Sequence, residues 1–238
     1  MALLFGGRSG EHEVSCVSAR YIAAAMDPSR YQVIPIGITR GGGWRLPEAS
    51  RRVLEGGPLE LPERSFVAEG EPVALLPDPS HPEIRGVGRL DVVFPALHGP
   101  YGEDGCVQGL LETAGVPYVG SGVLGSALGM DKEKMKLLFR AHGLPTADFL
   151  VVRAHDWRAE SSRLVDEAGR LGYPVFSKPA NLGSSVGITK CFDPEELQAG
   201  IEEALSHDRK ALVEEAIPGR EIECALLGDE HPEASVCG

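Results

Sequence analysis

Short apolar runs alternate along this chain with stretches of helical spacing and with glycine-rich loops. Ala2–Phe5 reads as a buried strand that runs into Gly6-Gly7. From about Val14 to Met26 apolar positions recur with helical period, and Asp27-Pro28 stops the helix. Tyr31–Thr39, rich in Val and Ile, predicts a second strand. A strand–helix–strand unit of this kind requires parallel pairing and a crossover helix. From Arg40 to about Arg89 the pattern dissolves, with weak strand candidates at Trp44–Leu46 and Val73–Leu76. Irregular surface structure is expected there, including a poorly ordered loop. Order returns with a strand at Asp91–Leu97, a helix from about Asp104 to Ala114 and a short strand at Val116–Val119. Alternation of this sort predicts an open α/β sheet with ligands at the carboxyl ends of its strands.

The character changes near Gly120–Leu124. A charged helix, Asp131–His142, ends at Gly143 with Pro145 beyond. Strand Asp148–Val152, a helix over Ala159–Leu171, strand Val175–Lys178 and strand Ile188–Phe192 follow. Asp193-Pro194 then offers an N-cap and a proline at the first helical position, opening a helix to about Ser206. Strand Ala211–Glu215 and the pair Glu221–Leu227 and Glu233–Val236 complete the chain. Hairpins replace crossovers in this half, which predicts a second, α+β unit. The apolar last strand stops at Gly238 without a cap or a polar tail, so the chain is expected to be truncated.

Composition narrows the classes. Of 238 residues, 42% are hydrophobic and 24% charged, the balance of a globular protein with one large or two ordinary domains. A net charge of −12 argues against a nucleic-acid protein, which shows a basic face, but not against a small anionic ligand held by a few lysines. The five cysteines are scattered without zinc spacing and read as reduced thiols. No apolar run approaches membrane-spanning length, and the opening residues lack a basic leader, so the expected compartment is the cytoplasm.

Four segments carry candidate chemistry. In Lys178–Gly187, KPANLGSSVG, a lysine closes an apolar stretch and a Gly/Ser loop follows. Ammonium, close backbone N–H groups and hydroxyls suit a phosphate; the same residues also suit a solvated turn. GGRSGEHEVS, Gly6–Ser15, links a strand to a helix start, where an anion is favoured, but it is not GxGxxG. Glu11 fits there as a partner of the helix dipole, and Glu13, with Ser15 beside it, suits a substrate ammonium. HGPYGEDG puts His98 at a strand end and Asp104 at an N-cap position. In MDKEKMK, Lys132 combines its charge with the helix dipole, whereas Lys134 and Lys136 read as solvated. Glu214 and Glu215, adjacent on a strand, must point in opposite directions. No GxxxxGK[ST] occurs, which disfavours a P-loop NTPase.

Taken together and in this order, GGRSGEHEVS, HGPYGEDG, SGVLGSALGMDK and PVFSKPANLGSSVGITK resemble the D-alanine–D-alanine ligases of the ATP-grasp superfamily. The resemblance implies an α/β chain with an N-terminal pre-ATP-grasp, Rossmann-like parallel domain over 1–121. A central ATP-grasp subdomain over 122–212 and the start of a C-terminal one over 213–238 would follow. It implies ATP and Mg²⁺ as cofactors, D-alanine as substrate, peptidoglycan synthesis as the setting and a homodimer as the assembly. Glu13 would hold the first D-alanine's ammonium with Ser15 in the same network, and His98 would lie near its carboxylate. Lys132 and Lys178 would contact the nucleotide phosphates, under a loop bearing Ser184, Ser185 and Gly187. Glu214, Glu215 and Ile217 would meet the adenine edge, and Glu221 the ribose. Phe176 would pack beside the base or in the core. The metal carboxylates have no counterpart before Gly238, so the chain alone is expected not to catalyse. Two other readings remain: a D-alanine–D-lactate or D-alanine–D-serine ligase, and a non-catalytic nucleotide-binding module.

Overall fold

The computed structural model describes residues 1–46, 48, 54, 67 and 70–238. Two four-stranded sheets organise it. The first has the order β3-β2-β1-β6 and contains β1 (Ala2–Gly6), β2 (Ile34–Ile38), β3 (Trp44–Arg45) and β6 (Val93–Pro95). β1 pairs in parallel with both β2 and β6, and α1 (His12–Ala25) crosses from β1 to β2. Every residue of β1 is buried, because helices and loops cover both faces of a parallel sheet. Ala2 and Leu4 face Ile36, Val93, Val107 and Leu111, while Leu3 and Phe5 face Cys16 and Ala19 of α1.

The second sheet, β7-β10-β8-β9, is antiparallel throughout. Its strands are β7 (Phe149–Arg153), β8 (Val175–Pro179), β9 (Thr189–Cys191) and β10 (Lys210–Glu215). Between the sheets lie α2 (Cys106–Thr113), α3 (Val123–Met130) and α4 (Lys132–Ala141); α5 (Ala154–Gly169) and α6 (Pro194–His207) belong to the second unit. Leu164 and Val165 of α5 and Leu197 and Ile201 of α6 pack on Val152, Val175, Ala211 and Val213. Side chains alternate along a strand, so Phe176, Lys178, Lys210, Leu212 and Glu214 project from the opposite face. That alternation decides where the charged groups gather.

The structure revises several boundaries. Val116–Val119 forms only a single parallel bridge, Val93 with Tyr118, since Pro117 has no N–H to donate. Val73–Leu76 makes isolated contacts rather than a strand, although Val73 and Leu75 are buried. α5 starts at Ala154, earlier than its spacing suggested, and is interrupted at Glu160 (φ −143°, ψ 38°). α3 has no counterpart in the sequence reading, because two glycines in VLGSALGM weaken the helical signal. A small hairpin, β4 (Glu83–Ile84) with β5 (Gly88–Arg89), lies within the stretch whose pattern dissolves, and the last pair shortens to β11 (Leu226–Leu227) and β12 (Glu233–Ala234). The expected bound between 212 and 213 falls inside β10, which continues through it. The loop expected to be poorly ordered coincides largely with 47, 49–53, 55–66 and 68–69, outside the described residues. Among the described residues no helix is long and apolar enough to cross a membrane.

Candidate active site

Lys132 opens α4, and the backbone around it fixes its position. Asp131 caps the helix, accepting from Lys134 N at 3.1 Å. Lys132 N donates to Ala180 O at 3.0 Å, and its ammonium donates to Leu182 O, so both ends of the residue are tied to the segment following β8. Burial, together with the nearby Lys178 charge, holds the Lys132 pKa below the ordinary lysine value. A half-buried ammonium beside a second ammonium favours an anionic partner.

One turn further along, Lys136 lies 3.3 Å from Glu214 Oε1, and Lys178 lies 2.6 Å from Glu214 Oε2. The Glu214 side chain is only 8% exposed. Lys136 is therefore not the solvated residue its charge suggested. Positions 132 and 136 are one i,i+4 pair, a spacing that places both on one helix face and was the available signal. Lys134 does point outward, to Glu133 at 3.1 Å. Glu215 faces away from Glu214 as alternation demands, accepting from Asp148 N at 2.8 Å.

The loop after β8 is bound at its base and contorted at its tip. Asn181 donates twice to Asp208 Oδ2, from its backbone N–H at 2.9 Å and from Nδ2 at 2.8 Å. Ser184 and Ser185 have φ of 49° and 59°, unusual for residues with a side chain, and Gly187 has φ of 68°. Ser184 Oγ donates to the Glu11 carboxylate of the first unit. Gly99 makes room for that carboxylate: a Cβ there would come 2.5 Å from Glu11 Oε2. Glu11, read from sequence mainly as a helix-dipole partner, thus joins the two units, a contact between residues 173 positions apart. A cleft of about 570 Å³ runs alongside, with Leu97, Glu103, Gln108, Ser126, Lys132 and Gly183 in its walls.

Of the remaining expected residues only Phe176, the register partner of Glu214, adjoins this lysine cluster. Glu13 is paired with Arg40. Burial raises its pKa, but a backbone hydrogen bond and the Arg40 guanidinium outweigh that and hold it below the usual carboxylate value. Ser15 points elsewhere: its hydroxyl is buried, accepts from Gly6 N at 2.8 Å and donates to Ala96 O. His98 meets Ser18 Oγ through Nε2 at 2.9 Å and lines a smaller cavity of about 170 Å³ with Arg8 and Tyr101. Phe176 carries the Lys190 ammonium 5.7 Å from its ring centre. Ile217 is 65% exposed and Glu221 is exposed, so neither joins the cluster. Among the described residues no three His, Cys, Asp or Glu side chains stand together as a metal site.

Comparison with known proteins bears on this arrangement. A family described as "D-ala D-ala ligase N-terminus" matches residues 1–121, and one described as "D-ala D-ala ligase C-terminus" matches 138–238. A D-alanine–D-alanine ligase of Streptomyces coelicolor is 48% identical over 252 residues, covering 99% of this chain. One from Natranaerobius thermophilus is 46% identical over 246 residues, covering 100% of it. The chain spans 65% of the length of each of these relatives. Among solved structures, the VanG D-Ala:D-Ser ligase of Enterococcus faecalis superposes with a TM-score of 0.84 at 35% identity, covering 99% of this chain and 68% of that one. The D-alanine–D-alanine ligase of Coxiella burnetii gives 0.82 at 35% identity, covering 99% and 69%.

Proposed function

The chain belongs to the D-alanine–D-alanine ligase family, and from that premise we propose that the protein joins two D-alanines at the expense of ATP. The observation that carries this reading is that Lys132 is tied at both ends to the segment following β8, to Ala180 O and Leu182 O, where the Lys178 charge also lies near it. Two half-buried ammonium groups close together suit the phosphates of a nucleotide. The loop that follows, with left-handed Ser184, Ser185 and Gly187, carries N–H and O–H donors of the kind a phosphate takes.

In the proposed reaction an oxygen of the first D-alanine's carboxylate attacks the γ-phosphorus and ADP departs. The amine of the second D-alanine then attacks the acyl carbon, the bond to phosphate breaks, and the amine loses a proton. This needs alignment and charge compensation rather than a protein nucleophile. Glu13 holds the first substrate's ammonium, which takes the place of the Arg40 guanidinium. Ser15 supports Glu13 through the backbone, by tying Gly6 to Ala96. His98 serves the substrate carboxylate. Lys132 and Lys178 bind phosphate under Ser184, Ser185 and Gly187, while Glu214, Glu215 and Ile217 take the adenine edge and Glu221 the ribose. Binding adenine requires Glu214 to exchange part of its contact with Lys136 and Lys178 for the amino group. Mg²⁺ would supply charge compensation at the phosphates, and the described residues bring no three His, Cys, Asp or Glu side chains together to hold it. Residues 1–121 form the N-terminal domain in this reading, 122–212 the central subdomain, and 213–238 the start of the next. We place the homodimeric protein in the cytoplasm, on the route to peptidoglycan.

The test offers the intact protein MgATP with D-alanine alone, or with D-serine or D-lactate, and separates the products. D-alanyl-D-alanine with one phosphate released per bond is expected. Preferential mixed product would favour the activity named in the VanG structure instead. ATP binding without ligation of any pair would accord with the expectation that residues 1–238 do not catalyse alone, or with a nucleotide-binding module.

A further inference from the structure

Lys210, the first residue of β10, has no role in the reaction above, yet it contacts the groups that fix Lys132. Its ammonium lies 2.6 Å from Asp131 Oδ2 and 2.6 Å from Glu133 Oε2, the residues on either side of Lys132. Its carbonyl accepts from Ala180 N at 2.9 Å, and the Ala180 carbonyl accepts from Lys132 N at 3.0 Å. The Lys210 and Glu133 side chains are 11% and 7% exposed. Burial alone would lower the Lys210 pKa; the two carboxylates outweigh it and raise the value. Glu133 also faces Lys134 at 3.1 Å and Arg153 at 3.3 Å, so Lys210 is not its sole cation.

Carboxylates next to a lysine are natural partners for its ammonium. Yet among the described residues none pairs with Lys132, which donates to the neutral carbonyl of Leu182. Glu214, Asp208 and Asp131 reach it only through longer-range attraction. We propose that Lys210 is a positioning residue for phosphate binding: by engaging Asp131 and Glu133 it leaves the Lys132 ammonium available to an anion, and it holds the start of α4 against the base of the loop. Lys210 itself touches no ligand. Without its charge, Asp131 turns to Lys132, and a lysine already paired offers less net charge to a phosphate. The inference rests on the nucleotide reading of this site.

The experiment compares ATP and adenosine binding by calorimetry in the intact protein, alongside thermal melting. Lys210→Met should weaken ATP binding about tenfold, the loss of one charge-assisted contact, and leave adenosine within about twofold of wild type. Lys210→Arg should bind ATP as the wild type does. Adding Asp131→Asn and Glu133→Gln to Lys210→Met should restore most of the ATP affinity, because the competing carboxylates are gone. Equal losses for ATP and adenosine, or unchanged ATP affinity in folded Lys210→Met, would overturn the proposal. If Lys210→Met shows no cooperative melting, the triple variant decides, and its failure to bind ATP near the wild-type level overturns the proposal. A wild type that binds no ATP would overturn the nucleotide reading along with it, a separate and distinguishable result.

Discussion

Lys178 and Glu214 are diagonal neighbours on β8 and β10, and their charged ends meet at 2.6 Å on the face turned away from α5 and α6. Glu214 also faces Lys136, so a single buried carboxylate stands between two lysines on different elements. Removing it strands both cations in a place that water reaches poorly. Glu214→Ala should therefore lower unfolding stability by about 3 kcal/mol, the usual result of leaving buried charge unpaired. Urea denaturation reads this directly, and a loss below about 1 kcal/mol would match an exposed pair instead.

Ser15 allows a structural role to be separated from a chemical one. Its hydroxyl satisfies Gly6 N and Ala96 O at the ends of β1 and β6, both away from solvent. Ser15→Ala leaves these backbone groups without partners, at a cost of about 2 kcal/mol. If stability is the whole of its contribution, ligase turnover measured well below the melting temperature should change little. A turnover loss of a hundredfold in a folded variant would place the hydroxyl in the reaction.

The sequence carried the parallel unit well, because β1 is uniformly apolar and is followed by Gly6-Gly7 and a periodic helix. Asp193-Pro194 likewise marked its helix start, and Asp193 does accept from Glu196 N at 2.8 Å. What escaped were contacts between distant segments. Nothing local in GEHEVS says that Glu11 meets Ser184, and nothing in SHDRKAL says that Lys210 enters a buried cluster with Asp131 and Glu133. Charged residues on a helix read as solvated unless the partner strand's facing side is known, and Lys136, which meets Glu214 of β10, is such a case. Short bridges such as Val93–Tyr118 lack the length that gives a strand its period.

Lys132 and Lys210 should respond oppositely to alkaline pH. The Lys132 pKa is lowered in the folded chain, so between that value and 10.5 the unfolded chain holds more protons. Its contribution to stability then rises with pH across that window. The Lys210 pKa is raised, so its stabilisation is complete below 10.5 and is lost as pH climbs through the folded value. Compared with Lys132→Met, the wild type should gain relative stability as pH rises toward 10.5; compared with Lys210→Met, it should lose relative stability above 10.5. Denaturation curves of the three proteins over this range check both signs. Phosphate binding should raise the Lys132 pKa, so ATP binding in the Lys132 window should take up protons. Calorimetry in buffers of different ionisation enthalpy would detect that uptake.

Gly200 sits on α6 directly against strands β8 and β9 of the second sheet. A Cβ there would lie 2.9 Å from Cys191 Sγ, 3.2 Å from Thr189 Cβ and 3.3 Å from Ser177 Cβ. Two of these neighbours are Cβ atoms fixed to the strand backbone, and the sulfur is one bond beyond its own, so none can swing aside as a long flexible tip would. Gly200→Ala should gain about 1 kcal/mol of helix propensity and lose about 1–3 kcal/mol to overpacking, a net destabilisation. Gly129 in α3 supplies the contrast, since a Cβ there meets nothing within 4 Å. Gly129→Ala should be neutral or stabilising by up to about 1 kcal/mol. Adding Cys191→Ala to Gly200→Ala removes the closest obstructing atom, so the double variant should be less destabilised than the sum of its parts. Strict additivity in the double-mutant cycle would mean that the helix shifts as a body instead of pressing on the sulfur.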